Sequence, residues 1–181
     1  MNILLFLVAS GGLLYVSRRS LLNTRSHGFY RFFAWEVILV QFLRNVQYWF
    51  DDPLSPPHLA SWVLLIASAI LVVEGVRLLQ VHGRPAKAME REGLYTFEKT
   101  TVLVTNGLYR HIRHPLYGSL LFLAWALFFK NPAWADGLLA AAASALLVVT
   151  ARLDEKECLQ FFGPVYGEYM ETTKMFIPKL L

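Results

Sequence analysis

The sequence predicts an all-α protein, a polytopic membrane bundle of about five transmembrane helices that ends in a cytoplasmic amphipathic helix. Three observations carry this. Apolar residues make up 56% of the 181 positions and charged residues only 17%, whereas a soluble domain carries roughly 25% charged residues. The apolar residues also fall in long runs, not at scattered positions. Finally, Lys and Arg are partitioned between alternate loops, as expected of a chain that crosses a bilayer repeatedly. Mean hydropathy is +0.43. The net charge of +4 and the pI of about 9.3 fit loops that face anionic lipid. Outside those loops there is no basic-aromatic stripe of the kind that binds nucleic acid.

Five apolar segments account for the spans, at residues 2–17, 32–50, 59–80, 115–129 and 133–150. The first has no basic residue ahead of it and Arg18 and Arg19 behind it, the reverse of a secretory signal, so it is expected to persist as a first helix. A span takes about 20 residues at 1.5 Å each, and the fourth and fifth segments are shorter. Lys130-Asn131-Pro132 between them marks a tight turn. The expected hairpin either crosses a thinned bilayer or only dips into it.

Loop charge sets the orientation. The first loop holds Arg18, Arg19, Arg25 and Arg31 with no acid, and the second holds Asp51 and Asp52 with no base, stiffened by Pro53, Pro56 and Pro57. The third loop, 77–113, and the tail with Arg152, Lys156, Lys174 and Lys179 are basic again. With the N-terminus outside a bacterial-type inner membrane, 15 of the 17 Lys and Arg residues face the cytoplasm. The third loop and the tail are the only long polar segments, so chemistry with a soluble cofactor is expected on that face. One membrane domain is expected, with an N-terminal three-helix part over 1–94 and a core over 95–181. No internal repeat or low-complexity segment is present.

Polar residues inside spans are costly and invite explanation. Gln41, Arg44, Asn45 and Tyr48 share one face of the second helix, Glu36 lies on the same helix, and Glu74 and Arg77 are spaced to pair. These groups either fix the bundle through interhelical hydrogen bonds or wall a cavity for an acceptor's headgroup, with Arg44 as a substrate residue.

The densest chemical signal runs over 101–117. Gly107 permits a turn, and Pro115 suits the first turn of the fourth helix. Arg113 and His114 then stand at a helix N-terminus, which favours an anion such as a carboxylate. Tyr109 and Tyr117 offer rings for a nucleoside or a sulfonium, or serve as interfacial anchors. His111 and His114 lack a third spaced ligand, so no metal is expected. A second signal follows the fifth helix. Arg152, Asp154, Glu155 and Glu157 open an amphipathic stretch that continues with Phe161, Phe162, Val165, Tyr169 and Phe176. Cys158, the one cysteine, excludes an internal disulfide and suits a small buried apolar position. A catalytic thiol is the sharper alternative.

Taken together, Gly107-Leu-Tyr109, Arg113-His-Pro-Leu-Tyr117, Asp154-Glu155, Phe162-Gly163, Tyr166, Tyr169 and Ile177-Pro178 resemble the isoprenylcysteine carboxyl methyltransferase family over roughly residues 95–181. Its wider relatives include phospholipid N-methyltransferases and the catalytic half of membrane sterol reductases. The resemblance implies S-adenosyl-L-methionine as the methyl donor. It also implies a lipophilic small-molecule or lipid acceptor, foremost the carboxylate of an isoprenylcysteine-like molecule. Carried over by position, Thr101, Val102, Leu103, Val104 and Tyr109 would line the nucleoside and methionine parts. His114, Pro115, Leu116 and Tyr117 would form the wall beside them, and Glu155 would hold a hydroxyl or the amino group. Arg152, one turn before Glu155, would orient a carboxylate acceptor, which needs no base. A phospholipid amine would need one, from Glu155 or a tyrosine. Asp154 replaces the first acid of the family's Glu-Glu pair. The chain is also shorter at its N-terminus than the eukaryotic enzymes, which weakens the case for a prenyl-protein substrate. An NADPH-dependent membrane reductase and a non-catalytic scaffold or transporter are the alternatives from other classes. The central spatial expectation is that the stretch ending at Tyr117 folds against Glu155 around one pocket.

Overall fold

A computed structural model of the chain describes residues 3–84 and 98–178, which contain six α-helices and no named strand. They are α1 (Ile3–Ser17), α2 (His27–Asn45), α3 (Pro56–His82), α4 (Pro115–Phe128), α5 (Trp134–Phe162) and α6 (Pro164–Thr172). The expected boundary between residues 94 and 95 and the tail cation Lys179 lie outside the described residues.

Local chemistry sets the helix ends. Ser26 caps α2 by accepting from the Phe29 amide, which satisfies one of the orphan donors of a first turn. Prolines occupy the first turn of α3, α4 and α6, where the missing N–H costs nothing. Asn131-Pro132 turns the chain between α4 and α5, with the Ala133 amide bonded to the Asn131 carbonyl at 2.7 Å. In α5 there is no helix breaker between residues 151 and 162, so the helix runs on to Phe162. A separate amphipathic helix was expected to open at Arg152. The observed break comes later, at Gly163, whose φ of 66° and ψ of −145° reverse the chain before Pro164.

The helices α3 and α5, 27 and 29 residues long, are apolar and long enough to cross a membrane. The exposed Val63, Ile66, Ile70 and Val73 place an apolar stripe on the outer face of α3. α1 leaves Ile3, Leu4, Leu7, Val8 and Leu14 uncovered. Such surfaces suit lipid, since contiguous apolar exposure is rare on monomeric soluble proteins.

Contacts run between α3 and α4, α2 and α5, α4 and α5, α1 and α2, and α5 and α6. Small residues allow the close approach. Ala34, Ala124, Ala140, Ala143 and Ala151 are fully buried, and a Cβ added at Gly75 of α3 would stand 3.1 Å from the Leu116 side chain of α4. This is how helices pack when lipid offers no hydrophobic contrast. The core above and below these contacts is filled by Tyr117, Leu147 and Phe176 at one level and Ile38 and Leu127 at another.

The face shared by Gln41, Arg44 and Asn45 meets α5 at Asp136. Arg44 Nε and Nη2 lie 3.1 and 3.3 Å from the two Asp136 carboxylate oxygens, Asn45 Nδ2 lies 2.9 Å from Oδ1, and Gln41 Nε2 donates to the Asp136 carbonyl at 3.1 Å. Bundle fixing is therefore what these residues do. Asp136 sits roughly 27 Å along α5 from Asp154 at 1.5 Å per residue, so the cluster staples the end of the bundle remote from the acidic pair.

Candidate functional site

The described part of the third loop is tied to the end of α3. The amides of Thr101 and Val102 both donate to the Gly83 carbonyl, at 3.0 and 3.2 Å. Gly107 then takes a φ of 59°, and an added Cβ there would meet Leu78 Cδ1 at 2.7 Å. A glycine is thus required twice over, for its backbone and for its lack of a side chain. The turn it allows places Tyr109 in a 3-10 segment packed on Leu78 and Val104.

The tail returns as a strap. The Arg113 and His114 amides donate to the Lys174 and Met175 carbonyls at 2.8 and 3.1 Å, and the Lys174 amide donates to the His111 carbonyl at 3.1 Å. The start of α4 is therefore held by residues some 60 positions later in the chain. Tyr169 of α6 closes the arrangement, its hydroxyl donating to the Tyr109 carbonyl at 2.6 Å.

Between these elements lies a small cavity of about 100 Å³ with an open mouth. Leu103, Val104, Tyr109, His114, Pro115, Leu116 and Tyr117 all line it, joined by Leu79, Glu98 and Thr100 and, from α5 and α6, by Asp154, Cys158, Phe162, Tyr166 and Tyr169. The walls are mostly apolar or aromatic with a few convergent polar groups, the usual make-up of a ligand pocket.

Of the two acids, Asp154 is part of this lining and Glu155 is held just behind it. Arg113 Nε donates to Glu155 Oε1 at 2.7 Å, and its Nη1 donates to the Met170 and Thr173 carbonyls. His114 Nε2 lies 3.4 Å from the same Glu155 oxygen and Nδ1 lies 3.6 Å from Asp154 Oδ2. The Tyr117 hydroxyl donates to Asp154 Oδ2 at 3.2 Å, and the ring of Tyr117 stacks on His114 at 5.3 Å. The α4 entrance thus folds against the acidic pair, of which Asp154 lines the pocket. Glu155 acts from behind His114 and Arg113, and Asp154 forms the wall.

Burial pushes the phenols of Tyr109, Tyr166 and Tyr169 above their ordinary range. They stay protonated at neutral pH, and Tyr109 and Tyr169 donate hydrogen bonds to backbone carbonyls.

Several expected residues fall elsewhere. Thr101 and Val102 are exposed, with Thr100 lining the cavity one position earlier. Arg152 is exposed and outside the lining, because position 152 of the unbroken α5 points away from the cavity. Arg44 is paired with Asp136 at the far end of α5. The guanidinium beside the acids is instead that of Arg113. Cys158 is half-buried on the cavity wall, its thiol 3.7 Å from Asp154 Oδ1, not packed in an apolar core.

Other site residues escaped the sequence reading. Glu98 on the lining is clamped by the buried Arg31 of α2 through Nη1 at 2.9 and 3.0 Å. Arg31 was counted only as loop charge, and no motif links it to a residue 67 positions away. Tyr166 is part of the motif pattern without a role of its own, and Tyr169, expected on the amphipathic stretch, lines the cavity instead.

The chain is similar to proteins named methanethiol S-methyltransferase. It is 27% identical over 121 residues to methanethiol S-methyltransferase 1 of Bradyrhizobium diazoefficiens, covering 66% of this chain and 39% of the relative. Identity to the protein of that name from Pseudomonas deceptionensis is 27% over 126 residues, 66% and 43% of the two chains. For another Pseudomonas relative it is 34% over 74 residues, 40% and 27%. The chain thus spans less than half the length of each of these relatives. No family model matches it, and no solved structure does. The resemblance to the isoprenylcysteine carboxyl methyltransferase family read from its motifs thus extends to homologues that carry a methyltransferase name.

Proposed function

We propose that this chain is the catalytic unit of an integral membrane methyltransferase that takes its methyl group from S-adenosylmethionine. The observation that carries the reading is the convergence, in one cavity, of Tyr109, His114, Leu116 and Tyr117 with Asp154 and the α6 tyrosines. The donor supplies an electrophilic methyl group on a sulfonium, which leaves by in-line displacement. The chain's own part is to bind, orient and dry the reactants. Aromatic rings suit both the adenine and the sulfonium. The first turn of α4 suits the methionine carboxylate, and Glu155, fixed by Arg113 and His114, is positioned to hold these residues in place from behind.

The acceptor is lipophilic and enters sideways from the bilayer, while the donor comes from the cytoplasm. Five spans with the N-terminus outside and the site at the inner leaflet follow from the loop charges. An isoprenylcysteine-like carboxylate is one acceptor of this kind, but its expected anchor Arg152 is exposed. A small apolar thiol fits better, because Asp154 stands on the cavity wall and the relatives are named for methanethiol.

Titration calorimetry of the full chain in lipid nanodiscs tests the donor. S-adenosylhomocysteine binds and NADPH does not, and His114→Ala weakens binding about tenfold. No heat with S-adenosylhomocysteine, or equal heat with NADPH, contradicts the proposal. Labelled methyl transfer to an alkanethiol, an S-prenylated cysteine and phosphatidylethanolamine then ranks the acceptors, with the thiol expected first.

A further inference from the structure

Behind the cavity wall, Asp154 meets a fully buried imidazole. His27, the first residue of α2, places Nδ1 2.9 Å from Glu157 Oε2, and its amide donates to Glu157 Oε1 at 3.0 Å. Those two contacts fix the ring. With a carboxylate at Nδ1, the neutral ring keeps its proton there and presents a lone pair at Nε2. That nitrogen is buried and has no hydrogen-bond partner among the described residues. A nitrogen of His27, an oxygen of Asp154 and an oxygen of Glu157 all lie within 4.8 Å of one another, close enough for a single bridging water. The Glu157 side chain is 28% exposed, so the line runs from the cavity to solvent.

We infer that Asp154, His27 and Glu157 form the proton exit of the methyl-transfer site, serving an acceptor that must lose a proton, specifically a thiol. The inference rests on the proposed transferase and names the chemistry its acceptor requires. Even a cysteine thiol is only a few per cent ionised at pH 7, and a simple alkanethiol, the weaker acid, is ionised less. Tyr109, Tyr166 and Tyr169 are held protonated, and Glu155 is engaged by Arg113 and His114. Asp154 alone is a weak base for a thiol, and the imidazole behind it closes the gap.

The step balances. The acceptor S–H bond breaks and its electron pair stays on sulfur. That sulfur attacks the methyl carbon as the carbon's bond to the donor sulfonium breaks, the second pair passing to the donor sulfur. The proton moves to Asp154, then to His27, then through Glu157 to water. The products are a methyl sulfide, S-adenosylhomocysteine and one proton, with no oxidant or reductant. Asp154 is the catalytic residue here, and His27 and Glu157 act through it.

The charged groups facing His27 are Arg31 on α2 and Asp154 and Glu157 on α5. Those facing Asp154 are His114 and Tyr117 from α4, Cys158 on its own helix, His27 from α2, Tyr166 from α6 and Tyr109 from the third loop. The structural alternative is that Glu157 only caps α2 and His27 only fills space.

The test uses the full chain in nanodiscs with S-adenosylmethionine and an alkanethiol. For wild type and His27→Gln, kcat is measured from pH 6.5 to 10. The expected deficit of the variant is about 30-fold at the acid end and narrows steadily as pH rises toward the acceptor's own pKa, where thiolate enters ready-made. A deficit equal at every pH marks a packing role and overturns the inference. Glu157→Gln, which keeps the amide contact to His27, is expected to show a smaller deficit of the same shape. A flat one is likewise contrary. Independently of turnover, the ultraviolet absorbance of thiolate is titrated in the dead-end complex with S-adenosylhomocysteine. It is expected to rise about one pH unit earlier in Asp154→Asn than in wild type, because a neighbouring carboxylate opposes ionisation of the thiol, and coincident curves take Asp154 away from the acceptor and refute the relay. S-adenosylhomocysteine affinity is followed throughout. Binding retained within about twofold with no change of pH profile defeats the relay alone. Absence of binding by wild type defeats the transferase reading and the relay with it.

Discussion

Tyr169 joins two parts of the site that lie far apart in sequence, donating from α6 to the Tyr109 carbonyl at 2.6 Å. Tyr169→Phe leaves that carbonyl unsatisfied in a buried place, a cost of about 1–3 kcal/mol. S-adenosylhomocysteine affinity is expected to fall about 5- to 150-fold by calorimetry, with little change in helix content. The phenols also set a pH expectation. Because burial raises Tyr109, Tyr166 and Tyr169 above the ordinary value of 10.0, they are still protonated where free tyrosine ionises. Donor-product affinity therefore persists as pH rises through 10, and an alkaline loss centred on that value contradicts their assignment as buried donors. At this scale the sequence was partly legible. Gly107, His114 and Tyr117 announced themselves through turn and helix-start chemistry. Arg113 was read as a helix-mouth anion binder, whereas its guanidinium turns to Glu155 and the tail carbonyls. That choice depends on the direction in which α5 presents position 152, which spacing alone leaves open when a helix can break early or run on.

Helix pairs carry the next scale. The buried Asp136 joins α5 to α2 through Arg44 and Asn45. Asp136→Ala leaves two donors without their acceptor and is expected to destabilise the bundle by about 2–4 kcal/mol, read as a lower unfolding temperature in detergent. S-adenosylhomocysteine affinity of the folded fraction should stay unchanged, because the staple lies at the opposite end of α5 from the cavity. Gly107→Ala behaves in the reverse manner. Its φ of 59° and the Leu78 contact force the third loop off α3, so affinity drops at least about tenfold while stability falls by only about 1–2 kcal/mol. All five apolar runs appear as helices, because hydrophobic length is a robust signal. The tail strap through Lys174 and Met175 was not legible, since two residues' backbone hydrogen bonds leave no side-chain pattern. The staple at Asp136 was half legible: its α2 face was periodic, but a single acid beside a run of alanines gave no hint of its partners.

At the scale of the whole molecule, the proposed topology puts the basic first loop and the tail on one side of the membrane and the acidic second loop on the other. With a membrane-impermeant maleimide on intact cells, Ser55→Cys is expected to label and Asn23→Cys only after permeabilisation. The opposite pattern reverses the topology. Such an arrangement lets a bilayer-soluble acceptor and a water-soluble donor approach one cavity from different phases. The central claim, that this cavity holds the sulfonium nucleoside, is tested most directly by photolabelling the full chain with radiolabelled S-adenosylmethionine and mapping the labelled peptides. The account predicts label on peptides spanning 98–117 and 154–169, suppressed by excess S-adenosylhomocysteine. Label confined to α1, α2 or the loop before α3, or label that excess product does not displace, contradicts it.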